Sequence, residues 1–255
     1  MDGINVRKIE EGIIIEVRFL SDQLKEKIKE ELVSICHGEY ALVSDNIHHS
    51  FELTVKELVN CRLFQNKTMQ IGMVGELLLN VMIREFTDMK ICSPFFNLEE
   101  RNPKKGFDII IVDTNNDLWF AESKAGELGK KETATDKMCE KINEAKRDLC
   151  KRLNSDNSQL WLNAISSVRS ALKDGSEKDV IIKLLNNVSN TNISSDKNVL
   201  LGGTIFCLFD SVVDSLVIEK LYSSILNSES FKKLKIVAIQ KQTYKGIISF
   251  LHTLA

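Results

Sequence analysis

Helical spacing of apolar residues marks two segments in the first third of the chain. Between positions 68 and 86 apolar residues recur every three or four positions, which predicts a helix with one face toward the core. An earlier helix is predicted at 22–36, because capping residue types open it and Gly38 follows its end. The apolar run 12–19 predicts a strand, whereas positions 40–60 show no clear period.

The spacing changes to a β-type pattern between positions 106 and 124. Two compact runs of β-branched and aromatic residues, 106–112 and 118–124, flank the turn-forming segment 113–117. This arrangement predicts a β-hairpin, and strands that are apolar on both faces are typical of a sheet covered by helices. A short strand is also predicted at 90–96.

Helical and strand patterns alternate in the rest of the chain. Helices are predicted at 133–153, 159–172 and 212–226, strands at 199–209 and 234–240, and a last apolar segment follows. The Asn- and Ser-rich stretch 186–198 predicts a surface loop. Together these elements predict an α/β fold with a mixed central β-sheet flanked by helices.

The same patterns divide the chain into three parts. Residues 1–67 are expected to form an N-terminal strand and helix extension, and residues 68–155 the core that contains the hairpin. Residues 156–255 form a C-terminal α/β part that either completes the sheet or makes a second lobe. With 255 residues, either arrangement can bury a sizeable core.

Composition is that of an ordinary globular protein. Hydrophobic residues make up 43% of the chain and charged residues 27%. No apolar stretch approaches the about 20 residues needed to cross a bilayer, and the first residues lack the apolar segment of a secretory signal. The six cysteines are scattered without close pairs, as is typical of reduced thiols. We therefore expect a cytoplasmic protein without a membrane segment.

Net charge limits how this chain can hold nucleic acid. It has 34 basic and 36 acidic residues, a formal charge of -2. A DNA-binding domain that acts alone usually carries an excess of basic residues. Any contact with nucleic acid must therefore come from a local patch, or a partner must supply much of the binding.

Three ionisable residues interrupt the apolar strands of the predicted hairpin: Asp108, Glu122 and Lys124. Burying such groups costs several kcal/mol unless they are paired or bind an ion. Glu122 and Lys124 are two positions apart, so they project from the same face of a strand. If the turn is centred on Asn115, Asp108 lies opposite Glu122 on that face, but a slip of one residue would turn it to the other face.

Two adjacent carboxylates favour a hard divalent cation such as Mg²⁺. The cation lowers the pKa of a bound water and polarises a phosphate, while a neighbouring ammonium offsets developing negative charge. The trio therefore predicts a centre that cleaves phosphodiesters. The alternative is that Asp108 only caps a strand and that Glu122 and Lys124 form an ion pair. Glu-x-Lys also occurs at Glu144 and Lys146, where charged neighbours in a helix indicate a solvated face.

These residues resemble the PD-(D/E)XK nuclease superfamily, which includes restriction endonucleases. Gly-Phe-Asp, which ends at Asp108, resembles the motif of the first metal-binding acid, although no proline precedes Asp108. Glu-Ser-Lys, from Glu122 to Lys124, resembles the (D/E)XK element. Glu76 matches an acid that many members carry on the preceding helix. The resemblance covers residues 68–155 and implies a restriction-endonuclease-like core. It also implies that Asp108, Glu122 and Glu76 bind Mg²⁺ or Mn²⁺, and that Lys124 positions water or offsets charge.

More narrowly, the sequence resembles the HamA family, the nuclease subunit of Hachiman anti-phage defence. The resemblance lies in Gly-Glu-Leu-Leu at 75–78, ahead of Gly-Phe-Asp, and in Trp-Phe-Ala-Glu-Ser-Lys-Ala-Gly at 119–126. It implies a DNase that works with a helicase-like ATPase of the HamB type, which restrains it until abnormal DNA is sensed. A helicase that holds the DNA would account for the missing basic excess.

Four lysines beside the hairpin are candidate contacts for DNA phosphates: Lys104, Lys105, Lys130 and Lys131. Charged loop residues are more often simply solvated. Two other functions stay open. A non-catalytic module with a vestigial acidic site would bind DNA or a helicase, and a stand-alone restriction-type enzyme would bind a particular duplex without a partner.

Overall fold

In the computed structural model, residues 1–63, 66–96 and 106–255 are described. Helices cover both faces of one sheet. They are α1 (Asp22–His37), α2 (Phe51–Glu57), α3 (Lys67–Phe86), α4 (Ala134–Leu153), α5 (Ser158–Ala171), α6 (Ser176–Val188), α7 (Ser215–Asn227) and α8 (Lys245–Leu254). Of these helices, none combines the length and the apolar character that crossing a membrane requires.

Within the described residues the sheet has seven strands, in the order β1-β2-β7-β6-β5-β4-β3. They are β1 (Ile4–Ile9), β2 (Gly12–Val17), β3 (Lys90–Ile91), β4 (Ile109–Val112), β5 (Leu118–Glu127), β6 (Asn198–Phe206) and β7 (Lys233–Lys241). The inner pairs β2–β7, β7–β6 and β6–β5 are parallel, and the pairs toward the two edges are antiparallel. The predicted α/β fold with a mixed central sheet flanked by helices is confirmed. Strands from the early, middle and late parts of the chain join this sheet. The division of the chain into the parts 1–67, 68–155 and 156–255 stays a prediction.

Each face of the sheet has its own hydrophobic core. On one face α1, α3 and α8 pack against side chains such as Trp119, Ala121 and Val237. On the other face α4 to α7 pack against the alternate residues, such as Phe120 and Leu201. The central strands are therefore apolar on both sides, as expected for strands enclosed between helices.

Several elements differ from the prediction. β1 was not predicted, because an antiparallel edge strand that is half exposed carries little apolar signal. Helix α6 begins before the polar stretch 186–198 and takes up its first residues, so only part of that stretch is a loop. The strand predicted at 90–96 is only Lys90–Ile91, because Pro94 cannot donate a hydrogen bond to a neighbouring strand. Positions 40–60 form short helical segments.

A tight turn fixes the register of the β4–β5 hairpin. The side chain of Asp113 accepts hydrogen bonds from the backbone N–H groups of Asn115 and Asp117, both at 2.9 Å. Asn116 has a φ of 60°, in the left-handed region that asparagine tolerates. The turn is centred on Asn115, as predicted, and the slip of one residue does not occur.

Candidate active site

The hairpin register brings Asp108 beside Glu122. Ile109 lies opposite Ala121, so one further step along the ladder places Asp108 opposite Glu122. The Asp108 carboxylate also accepts a hydrogen bond from the backbone N–H of Ser123 at 3.0 Å. This bond holds the segment before β4 against β5, where the two strands begin to separate.

Glu122 is the most enclosed member of the site, with a side chain that is 0% exposed. Its Oε1 accepts a hydrogen bond from Nζ of Lys124 at 2.7 Å. The guanidinium of Arg152 donates from Nη1 to Oε2 at 2.6 Å and from Nη2 to Oε1 at 3.0 Å. Glu122 is thus held by a bidentate arginine and a lysine, which are strong charge-assisted contacts.

Arg152 also contacts Asp108, and the sequence interpretation did not include this arginine. Nη1 lies 3.4 Å from Oδ1 of Asp108 and 3.3 Å from the backbone oxygen of Gly106. A signal for it exists in α4, whose buried stripe contains Met138, Ile142, Ala145 and Leu149. Arg152 follows Leu149 by three positions, so it continues this stripe toward the sheet.

Lys124 is oriented by a third carboxylate. Its Nζ lies 3.0 Å from Oδ2 of Asp148, one helical turn before Arg152. Burial acts to lower the pKa of Lys124, but the carboxylates of Glu122 and Asp148 outweigh burial and raise this pKa. Lys124 therefore stays an ammonium that projects from the face of the acids.

The pKa of Glu122 is shifted upward. Burial, followed by the negative charge of Asp108, raises the pKa of Glu122 to about 7, although Arg152 and Lys124 act in the opposite direction. The ionised form is thus costly in this environment and needs positive charge nearby. A divalent cation would supply such charge.

Aromatic packing encloses this side of the site. The Phe107 ring lies 4.3 Å from that of Phe120 and 5.3 Å from that of Trp161, between ring centroids. Phe107 precedes Asp108, and Phe120 shares the face of Glu122 on β5. The cluster fixes the backbone that carries both acids, and Trp119 and Phe120 are buried core residues.

The donor set fits a cation held by two carboxylates. A single nitrogen of Arg152 is within hydrogen-bond distance of Glu122 and 3.4 Å from Asp108, so both acids reach toward one point. Mg²⁺ is commonly held by one or two carboxylates, with waters and substrate phosphates completing its shell. Within the described ranges, no group of three or more His, Cys, Asp or Glu side chains is arranged for a metal ion. Any metal here would therefore rely on Asp108 and Glu122, with Arg152 displaced.

The structure separates the helix of Glu76 from these acids. At the neighbouring Gly75, an added Cβ would lie 2.4 Å from Cβ of Ala125. Ala125 belongs to the core opposite the face of Glu122 and Lys124, so α3 packs on that other face. A role for Glu76 in the site stays a prediction.

The candidate DNA-contacting lysines also stay predictions. Lys130 and Lys131 are exposed in the connection between β5 and α4. Lys104 and Lys105 lie outside the described residues. Exposure is compatible with phosphate contacts and equally with simple solvation.

The fold and the site define the class of protein. A mixed sheet flanked by helices, with an aspartate before one strand and Glu-x-Lys on the next, is consistent with an α/β nuclease-like core. The model of the HamA family matches residues 3–254, and the chain belongs to this family, as the sequence motifs predict. Membership supports a role in Hachiman anti-phage defence. No curated protein matches the chain.

Proposed function

We propose that this protein is a deoxyribonuclease that uses Mg²⁺ or Mn²⁺ to hydrolyse phosphodiester bonds in anti-phage defence. The main support is the convergence of Asp108 and Glu122 on one nitrogen position, with the ammonium of Lys124 2.7 Å from Glu122. Two acids and a lysine on one sheet face are the parts that metal-assisted phosphodiester hydrolysis needs.

Asp108, Glu122 and Lys124 each have a role in this proposal. Asp108 and Glu122 would hold the cation, which when bound lowers the pKa of a water and polarises the phosphate. Lys124 donates to the attacking water or to a phosphate oxygen, and Asp148 keeps its Nζ oriented. Glu76 has no part in this step, because α3 packs on the face of the sheet opposite to Asp108 and Glu122.

Charge supports a partner for this activity. A chain with a formal charge of -2 has little long-range attraction for DNA. We propose that a helicase-like ATPase of the HamB type holds the DNA and controls cleavage in the cytoplasm. The exposed Lys130 and Lys131 would then make local phosphate contacts.

Cleavage by matched variants tests the proposal. We expect Glu122→Gln and Lys124→Met each to lower Mg²⁺-dependent DNA cleavage by roughly 100-fold or more, with or without the partner ATPase. Lys146→Met is the matched control, because Lys146 ends the second Glu-x-Lys and donates only to Ser228, at 3.2 Å, among the described residues. Circular dichroism checks that each variant is folded. Normal cleavage by a folded double variant would overturn the proposal.

A non-catalytic module is the second candidate function. It is favoured by Arg152, which already compensates both carboxylates as an ion network of purely structural type would. A vestigial site predicts no Mg²⁺- or Mn²⁺-dependent change in the protein, and full protection against phage by Glu122→Gln. A stand-alone restriction enzyme, by contrast, should bind one duplex sequence without a partner.

A further inference from the structure

We infer that Arg152 competes with the divalent cation for the position between Asp108 and Glu122, so that the cation binds only when this guanidinium leaves. The inference rests on the proposed metal site. It goes further because it gives the chain its own means of keeping that site closed.

The contacts of Arg152 leave no room for a second cation at the same point. Nη1 lies 2.6 Å from Glu122, 3.4 Å from Asp108 and 3.3 Å from the backbone oxygen of Gly106. Mg²⁺ requires oxygen ligands at about 2.0–2.1 Å in nearly octahedral geometry. An ion that uses oxygens of both acids must therefore take the place of this nitrogen.

Charge balance couples the two events. Asp108, Glu122 and Asp148 face the two cations Lys124 and Arg152 around the buried part of the site. A divalent ion added beside Arg152 would bring like charges together where water screens them poorly. Removal of Arg152 alone would leave the two adjacent carboxylates repelling each other. Exchange of one cation for the other avoids both penalties.

Location at a helix end allows the exchange without unfolding. Arg152 lies in the last turn of α4, and its side chain is 25% exposed. The neighbouring Leu149 and Leu153 are fully buried and keep the helix in place. Only the side chain has to rotate toward solvent, and this rotation needs no change in the backbone.

Lys124 differs from Arg152 because its Nζ also contacts a carboxylate outside the proposed metal site. Its Nζ is held by Asp148 at 3.0 Å as well as by Glu122, so it keeps a partner when the cation engages Glu122. Among the described residues, the guanidinium of Arg152 contacts Glu122, Asp108 and the backbone oxygen of Gly106, and the exchange breaks all three contacts. The site thus contains one cation that stays and one that is exchanged.

Direct metal binding tests this inference. Calorimetric titration with Mn²⁺ alone, without DNA, should show that Arg152→Gln binds Mn²⁺ roughly tenfold to a hundredfold more tightly than the unchanged protein. Without metal, Arg152→Gln should melt at a lower temperature, and Mn²⁺ should restore part of the loss. Arg147→Gln is the control, because Arg147 is 72% exposed and lies 3.7 Å from Asp148. It should bind Mn²⁺ like the unchanged protein.

The outcomes separate this inference from the proposed function. Equal or weaker Mn²⁺ binding by Arg152→Gln, with clear binding by the unchanged protein, overturns the inference alone. If neither protein binds Mn²⁺, both the proposed metal site and the proposed function are overturned. If Arg152→Gln does not fold, the unchanged protein supplies the test. Its Arg152 Nε–H resonance, assigned with Arg152→Lys, should change during Mg²⁺ titration, and an unchanged resonance at saturating Mg²⁺ overturns the inference.

Discussion

Replacing Lys241 with methionine should stabilise the protein at neutral pH. Lys241 ends β7 between Val17 of β2 and Phe206 of β6, and it is only 2% exposed. Within the part of the chain that the structure describes, its Nζ has no hydrogen bond or ion pair. Burial lowers the pKa of Lys241 from 10.5 to about 8. The charged form thus opposes folding, because no acid among the described residues compensates it.

The size of the effect follows from this pKa. The difference from the ordinary value of 10.5 corresponds to at most roughly 3 kcal/mol against folding. Lysine side chains can extend toward water, so we expect Lys241→Met to gain about 1–3 kcal/mol at pH 7. Methionine keeps the apolar stem and removes the charge.

The pH dependence gives a second test. The folded pKa is lower than the unfolded one, so the unfolded chain binds the proton more tightly between about pH 8 and 10.5. The unfavourable contribution is complete below pH 8 and disappears as pH rises to 10.5. Urea unfolding should therefore show the largest gain from Lys241→Met at pH 7 and a smaller gain at pH 10.

A surface lysine provides the control for this series. Lys220→Met on the exposed side of α7 should change the free energy of unfolding by less than about 0.5 kcal/mol at pH 7. A loss of stability in Lys241→Met at pH 7 would show that the lysine charge is compensated. A gain of the same size at pH 10 would show that the gain does not come from removing the charge.

Two further predictions concern the elements that frame the site, and urea unfolding at pH 7 measures both. Gly75→Ala should lower the free energy of unfolding by about 1–3 kcal/mol, because the new Cβ would lie 2.4 Å from Cβ of Ala125 and push α3 off the sheet. In the same helix, the Cβ added by Gly72→Ala meets nothing within 4 Å, so this variant should raise the free energy of unfolding by up to about 1 kcal/mol. Equal effects at the two glycines would contradict this packing. Thr133→Ala should cost about 1 kcal/mol, because the threonine side chain accepts the Asp136 N–H at the start of α4. An unchanged unfolding midpoint would show that this cap adds nothing.

The hairpin and the position of its acids could be predicted from the sequence because local chemistry determines them. The turn centred on Asn115 is fixed by Asp113, which lies within the turn itself. Once that turn is known, strand pairing places Asp108 opposite Glu122 without any long-range information. Alternation then puts Lys124 on the same face.

Arg152 could not be assigned from the sequence because its partner comes from tertiary packing. It is 30 residues from Glu122 along the chain, and only the docking of α4 on the sheet brings the two together. The stripe of α4 predicts that a side chain at this position faces inward, but not which strand residue it meets. The packing of α3, the helix that carries Glu76, on the opposite face has the same origin, since spacing along α3 does not specify the face on which the helix packs.

The ion pairs of Glu16 differ from those of the candidate active site in the number of acids that each arginine contacts. Glu16 is also buried, and it contacts Arg7 at 2.9 Å and Arg18 at 3.3 Å. Arg7 otherwise donates to the backbone oxygen of Val213, so this network joins β1 and β2 to the connection before α7. Neither arginine contacts a second acid in the described ranges.

At Glu122 a second carboxylate, Asp108, approaches the same arginine nitrogen. Among the described residues, each arginine of the Glu16 network contacts one acid, whereas Arg152 contacts two. A buried ion network is often no more stable than an apolar replacement. The additional acid raises the cost of the ionised site and lowers the cost of binding a divalent cation. The pairing of Asp108 with Glu122, rather than the burial of either, therefore favours a catalytic centre over an ion pair.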